Sequence, residues 1–314
     1  TKDMIMRQPL SNFTGFENIT TNLGQEDNSG FEVALNTLNI DKKNFQWSSS
    51  FSLSYNKNRI KHLFGDRQDI VDATGSVVGS READYVAAGW FIDKPISAIW
   101  DYKVTGIWQK DEVEEAKKYG QVPGDPKVWN NPANDQYDAD GNLVKVVYNN
   151  DDKVFQGQTA APVTWALRND FTLWKDLTLS VNIYSRMGHK SLETDYLNKD
   201  NAGSKVTNGQ NVYAKKGYWT VDNPTNEYGR LDAQGPSGVT TPGKLHNRSF
   251  IRLDNISLAY KLPKKFISRW SIEKAIISGS IKNVAVWAKD WKYWDPETGG
   301  LAPRTFNIGL TLTL

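Results

Sequence analysis

Strict alternation of apolar and polar side chains is the feature that most limits what this chain can fold into. Between residues 44 and 57 one parity carries Phe45, Trp47, Phe51, Leu53 and Tyr55, while the opposite parity holds only serine, glutamine and asparagine. Successive side chains of a β-strand point to opposite faces of the sheet, so this segment has one apolar and one polar face. It therefore predicts a strand that borders an apolar medium on one side and water on the other.

The same pattern recurs along the chain and predicts an all-β protein of nine or ten strands. The other segments with strand character are 31–35, 85–92, 95–108, 163–173, 177–183, 250–262, 274–287 and 304–314, with residues 1–6 as a tenth. In 250–262 the apolar parity switches between Leu253 and Ile256, which indicates a β-bulge around Asp254 and Asn255. One helix is predicted, from Asp111 to Tyr119, with acids in its first turn, lysines in its last and Gly120 after it.

The connections between these segments alternate in length. Short connections fall at 41–43, 93–94, 175–176 and 263–273, and long ones at 58–84, 109–161, 188–248 and 288–303. Outer-membrane β-barrels have tight turns on the periplasmic side and extended loops outside, whereas a soluble sandwich has no reason to sort its loops in this way. The pattern therefore favours a membrane-spanning antiparallel β-barrel segment with long extracellular loops.

Composition excludes several other classes. The 38 basic and 36 acidic residues give a net charge of +2, without the excess of positive charge typical of nucleic-acid binding. There are 0 cysteines, and His62, His189 and His246 are far apart, so neither a disulfide framework nor a familiar metal motif is present. No apolar run approaches the ~20 residues of a transmembrane helix, and no catalytic motif is evident. The chain is therefore not predicted to be an enzyme.

Several short segments, taken in order, carry a resemblance to a known family. They are Asn22-Leu23-Gly24, Asp101–Gln109, Gly124–Lys127, Phe250–Tyr260 and Asp295-Pro296-Glu297. With them the chain resembles the C-terminal part of the SusC/RagA family, the TonB-dependent outer-membrane transporters of Bacteroidetes. The resemblance implies a 22-stranded barrel preceded by a plug domain. We therefore expect residues 1–314 to form the C-terminal part of such a barrel, with the plug and the earlier strands in polypeptide upstream of Thr1.

The resemblance also implies a function in the cell outer membrane. Members of the family import nutrients, here glycans or peptides, through a lumen that a SusD-like surface lipoprotein caps from outside. TonB would act through the missing part of the transporter. The residues alone leave one alternative open, a soluble secreted β-sandwich or carbohydrate-binding module.

Aromatic and polar side chains provide the candidate ligand contacts. Trp129, Tyr137, Tyr218, Trp219 and Tyr228 lie in long loops, where they could stack on a sugar or peptide or could simply pack the loops together. The lumen side is predicted to carry Asn182, Tyr184 and Arg186. The aromatic residues near strand ends are expected to form an interfacial girdle: Trp47, Trp165, Trp174, Tyr260 and Trp287.

No cofactor is predicted, and calcium is the one alternative. Residues 138–142 resemble an acidic loop of the family in reduced form, but Val147 stands where a calcium loop would have its glutamate. An ordinary Asp-Gly turn explains the same residues.

Overall fold

The computed structural model describes residues 1–193, 217–239, 243–270, 272–292 and 294–314. The chain divides into two compact units. The first, here the sheet unit, consists of Thr1–Ser97, Ala160–His189 and Asn247–Leu314. The second, here the loop unit, consists of Ala98–Thr159 and Lys190–His246.

The described residues form mainly β-strands. In chain order these are β1 (Met4–Pro9), β2 (Asn18–Lys42), β3 (Phe45–His62), β4 (Arg67–Val71), β5 (Val77–Glu82), β6 (Ala98–Tyr102), β7 (Val104–Ile107), β8 (Pro126–Val128), β9 (Gln136–Tyr137), β10 (Leu143–Lys145), β11 (Lys153–Gln158), β12 (Val163–Leu173), β13 (Leu177–Met187), β14 (Lys190–Glu193), β15 (Lys244–Asn247), β16 (Phe250–Lys261), β17 (Lys274–Trp287) and β18 (Thr305–Thr313). The α-helices are α1 (Val113–Lys118) and α2 (Lys264–Ile267), and single 3-10 turns lie at Asn12–Thr14, Val86–Ala88, Lys110–Glu112, Pro132–Asn134, Asn150–Asp152 and Ser268–Trp270. None of the described helices has the length and apolar character needed to cross a membrane.

One antiparallel sheet of eight strands dominates the sheet unit, in the order β1-β2-β3-β12-β13-β16-β17-β18. Its register places apolar side chains in rows that cross the sheet. One such row consists of Leu35, Phe51, Leu167, Ile183, Leu253 and Ala285. The row beside it lies on the opposite face and consists of Asn36, Ser50, Arg168, Asn182, Asn255 and Lys282. The alternation read within one strand is therefore aligned across six strands, and it gives the whole sheet an apolar and a polar face.

The predicted bulge in β16 is confirmed. Asn182 pairs with Asn255 and the next residue, Ile183, pairs with Leu253, so Asp254 is the extra residue. The amide of Asn182 donates a hydrogen bond to Asp254 at 3.2 Å. Because the bulge adds one residue, Leu253 and Ile256 both keep their side chains on the apolar face.

Both edges of this sheet expose apolar side chains. Strand β1 pairs with residues 18–24 of β2, and Thr1 exchanges two hydrogen bonds with Glu26, so among the described residues this edge of β2 has no partner beyond residue 26. Along it Phe31 is 56% exposed. On the other edge, Ile308 of β18 is 91% exposed. Unpaired strand edges lined by apolar side chains are costly unless further strands cover them.

Two predicted strands are not in the large sheet. Residues 85–92 form a 3-10 turn closed by a bridge between Tyr85 and Trp90, and residues 95–108 contribute β6 and β7, which pair with β11 and β8 in the loop unit. Their apolar residues pack in small local cores, where Tyr102 and Ile107 are buried. The sheet thus has eight strands instead of nine or ten, and one long connection joins β3 to β12. The short and long connections still alternate, because the two strands were removed as a pair.

Candidate functional site

A network of charged residues lies on the polar face of the sheet unit. Arg252, on β16, donates two hydrogen bonds to the carboxylate of Asp295, at 2.8 and 2.6 Å. Both side chains are buried, with 4% and 5% of their surfaces exposed. Arg252 also donates to the side-chain oxygen of Asn283, whose φ is 54°. The buried arginine thus joins Asn283 of β17 to Asp295 of the loop that connects β17 to β18, while its Nε lies 3.5 Å from Glu297 without a hydrogen bond.

The same loop makes a second contact with the polar face. Glu297 accepts a hydrogen bond from the hydroxyl of Tyr184, and it forms an ion pair with Arg186 at 3.1 Å. The predicted lumen residues Tyr184 and Arg186 therefore do lie on the polar face, where they line a cleft of about 580 Å³ together with Glu32, Ser52, Ser54 and Glu297. Tyr184 and Glu297 are 113 positions apart in the sequence, so no local pattern indicated their contact.

The carboxylate of Asp295 has a lowered pKa. Burial acts to raise it, but the hydrogen bonds from Arg252 and from the N–H groups of Thr298 and Glu297 outweigh that effect. A carboxylate whose folded pKa is depressed stabilises the fold above its unfolded value, and the contribution is lost as the pH falls through the folded value.

This shift leads to an expected pH dependence. The loop should stay attached from neutral pH down to about pH 4, near the ordinary aspartate value, and be released only in stronger acid. Hydrogen exchange at the amides of Glu297 and Thr298, corrected for the intrinsic rate at each pH, measures this. Loss of protection between pH 7 and 5 would contradict the assignment.

The predicted ligand-contact aromatics all lie in the loop unit, but in different environments. Trp219 is 7% exposed and packs with Ile107 and Ala233. Its ring N–H donates to Gln109 at 3.0 Å, and its backbone N–H donates to the carbonyl of Tyr228 at 3.0 Å. Tyr218 and Tyr228 form a bridge beside it. The Trp219 side chain is thus buried in a small core of the loop unit, and its role in ligand contact stays a prediction.

Trp129 and Tyr137 are more open. Tyr137 is 51% exposed on β9. Trp129 is 39% exposed and lines a cleft of about 440 Å³ with Lys103, Phe155 and Lys190. A role of these aromatics in ligand contact remains a prediction, and the Trp129 cleft is where the ring is both accessible and bordered by other functional groups.

Two buried carboxylates organise the loop unit and were not recognised from the sequence. Asp152 is fully buried and accepts hydrogen bonds from the N–H groups of Asn131 and Asn149, both at 2.7 Å. Asp125 is 3% exposed and accepts from the Arg230 side chain and from the N–H of Gln234, both at 3.0 Å. The contacts of Asp125 with Arg230 and Gln234 join segments more than a hundred positions apart, and that of Asp152 with Asn131 spans 21 positions.

Asp152→Asn is expected to destabilise the loop unit by about 1–2 kcal/mol, because the new amide would place a donor against one of two buried backbone donors. Protease resistance of the region around Asn131 measures the change. Asp151→Asn is the matched control, because Asp151 is the adjacent residue and is exposed. Equal resistance of both variants would contradict the role given to Asp152.

The calcium alternative is not tested by the geometry. Asp138 accepts hydrogen bonds from the N–H groups of Asp140 and Asn142, at 3.0 and 2.8 Å. Among the residues whose positions are described, no cluster of three or more histidine, aspartate or glutamate side chains could hold a metal ion.

Three of the aromatic residues predicted for a girdle are exposed near strand ends. Trp174 and Tyr260 flank short turns, while Trp287 ends β17 beside a long loop, and their exposed fractions are 64%, 40% and 57%. Trp47 instead stacks on Phe171, with ring centroids 5.8 Å apart. The interfacial role stays a prediction.

Comparison with known proteins agrees with this architecture. The chain matches no protein-family model. It is 25% identical over its full length to the TonB-dependent receptor P26 of Formosa agariphila, and it covers 32% of that receptor. It is also 25% identical to the TonB-dependent receptor SusC of Bacteroides thetaiotaomicron, over 94% of the chain and 27% of SusC.

Over nearly its full length the chain is therefore similar to TonB-dependent receptors, SusC among them. Among solved structures, a RagAB peptide transporter superposes with a TM-score of 0.67 at 23% identity, over 99% of this chain and 32% of that one. The all-β, barrel-type fold is thereby confirmed, and the soluble-sandwich alternative is not supported. Family members are outer-membrane proteins, receptors and transporters rather than enzymes, as predicted. The chain spans about a third of the length of these relatives.

Proposed function

We propose that this chain is part of a transporter that imports a nutrient, a peptide or a glycan, across the outer membrane. The observation that carries the proposal is the register of the eight-stranded sheet, which aligns one apolar and one polar face across neighbouring strands. An apolar face suits hydrocarbon and a polar face suits a wet lumen, which is the arrangement of an outer-membrane barrel wall.

In this proposal residues 1–314 supply the C-terminal portion of the barrel. The two apolar strand edges support it, because β2 and β18 would pair with strands of the longer protein and so satisfy their backbone groups in the membrane. The plug domain and the remaining strands would lie outside this chain. The relatives are named TonB-dependent receptors, so TonB is the proposed energy source, acting through polypeptide outside this chain.

The loop unit is the proposed contact for cargo and for a SusD-like lipoprotein. It is built from the long connections, which in a barrel of this orientation lie outside the cell. One structural neighbour is a RagAB peptide transporter, whereas the names of the TonB-dependent receptors give no cargo, so the proposal includes both a peptide and a glycan.

Uptake measurements test the proposal. Cells that lack the complete receptor should lose energy-dependent uptake of one cargo class, and the intact gene should restore it. A protonophore should abolish uptake in the restored cells, and affinity purification of the receptor should recover a surface lipoprotein. Unchanged uptake of labelled peptides and glycans in the deletion strain would contradict the proposal.

A further inference from the structure

The cleft beside Trp129 has the dimensions and the walls of a small-molecule site. It encloses about 440 Å³ and is lined by Lys103, Trp129, Phe155, Gln156, Lys190 and Leu245, with Val154 behind them. Volumes of this order are usual for sites that take a ligand of one to a few rings. All of these residues belong to the loop unit.

The charged side chains described around this cleft are all basic. Lys103 and Lys190 line it, and the described residues that line it include no carboxylate. Lys103 is exposed and has no acidic partner among the residues that the structure describes. A cleft lined by two lysines, with no acid among its described lining residues, favours a ligand that brings its own negative charge.

Lys190 is held in place by its surroundings. Its ammonium donates a hydrogen bond to the carbonyl of Gln156 at 2.8 Å, which uses one of its three N–H donors. Its aliphatic stem lies against Gly157, where an added Cβ would stand 3.0 Å from the lysine Cδ. The Gln156 amide is itself fixed by a donation to the carbonyl of Asp101 at 3.0 Å. A lysine positioned in this way loses little freedom when a ligand binds.

Two rings complete the cleft. Trp129 is 39% exposed and Phe155 is 41% exposed, so each presents part of its ring to solvent. The backbone N–H of Trp129 donates to the backbone carbonyl of Lys103 at 2.8 Å, which keeps these two residues adjacent. Aromatic faces of this kind stack on flat or apolar parts of a ligand.

We infer that the Trp129 cleft binds a carboxylate that is attached to a ring or an apolar side chain. The carboxylate lies between Lys103 and Lys190, and the ring or side chain packs on Trp129 and Phe155. A uronic-acid residue of a glycan and the C-terminal residue of a short peptide both have this chemistry. The inference rests on the proposed import function, because it assigns the cleft to the recognition of cargo.

The test compares each acid with its neutral counterpart on the complete receptor in detergent. The probes are a tripeptide ending in phenylalanine and its C-terminal amide, and a galacturonate disaccharide and its methyl ester. Calorimetry should show that at least one acid binds about tenfold more tightly than its neutral form, as expected for charge-assisted hydrogen bonds. The acid that binds identifies the source of the carboxylate. Failure of both acids to bind, or equal affinity for acid and neutral form, would overturn the inference.

Variants assign the preference to these residues. Lys190→Met and Lys103→Met should each reduce the acid preference, Lys190→Arg should retain most of it, and Trp129→Ala should weaken acid and neutral forms alike. Lys145→Met, an exposed lysine of the same unit that does not line the cleft, is the control. An unaltered acid preference in the Lys103→Met/Lys190→Met double variant would overturn the inference. Binding is measured apart from uptake, so a receptor that binds the acid without importing it would contradict only the proposed function.

Discussion

Arg252→Met is expected to lower the free energy of unfolding of the complete receptor by about 3–5 kcal/mol, because it would leave a buried carboxylate without its partner. The side chain of Asp295 is 5% exposed and accepts its two shortest hydrogen bonds from Arg252, at 2.8 and 2.6 Å. The loop between β17 and β18 should detach from the polar face as a consequence. Urea unfolding in lipid vesicles measures the change.

Two control variants separate the ion pair from a general effect of charge. Arg168→Met removes an arginine of the same face that pairs with Asp170 but is 58% exposed, so its effect should be about 0–1 kcal/mol. Arg252→Met combined with Asp295→Leu should recover much of the loss, since no charge is then buried alone. Equal destabilisation by Arg252→Met and Arg168→Met would show that the buried pair has no special role.

A charge placed on the apolar face should be the other large perturbation. Phe51→Arg would direct a guanidinium from the middle of β3 into hydrocarbon, and we expect a cost of about 2–4 kcal/mol. The adjacent Ser52→Arg is the matched control, because Ser52 is exposed on the polar face within the cleft that also contains Glu32. It should change the free energy of unfolding by less than about 1 kcal/mol.

The ratio of the two effects is the informative quantity. Urea unfolding and the yield of folded receptor in outer-membrane fractions both report it. If Phe51→Arg and Ser52→Arg were equally tolerated, the apolar face would not border lipid.

The features that could be predicted from the sequence are those that depend on the residue types within a single strand or helix. The alternation around Phe51 fixes its two faces because side chains in a strand have a period of two. The bulge at Asp254 could be located because an extra residue reverses that parity. The helix near residue 113 was recognisable from its acidic start and basic end, and the structure places α1 there.

Other features depend on partners that are distant in the sequence. Arg252 and Asp295 look like ordinary charged residues until the loop after β17 brings them together. Trp129 and Trp219 have the same local character, yet one lines a cleft and the other is buried against Ile107. Residues 85–108 were predicted to add two strands to the sheet, but their apolar residues pack in small local cores with residues such as Ile60 and Val128. The pattern alone could not distinguish these two outcomes.

The central claim is that alternate residues of β3 border lipid and water, and spin-label accessibility measures this directly. The chain has 0 cysteines, so single cysteines at positions 50, 51, 52 and 53 would each attach one nitroxide within it. In the complete receptor in lipid vesicles, labels at 51 and 53 should be relaxed mainly by oxygen, and labels at 50 and 52 mainly by a water-soluble nickel complex. Labels at 51 and 53 that neither reagent reaches would place these residues inside a sealed protein core and would contradict the account.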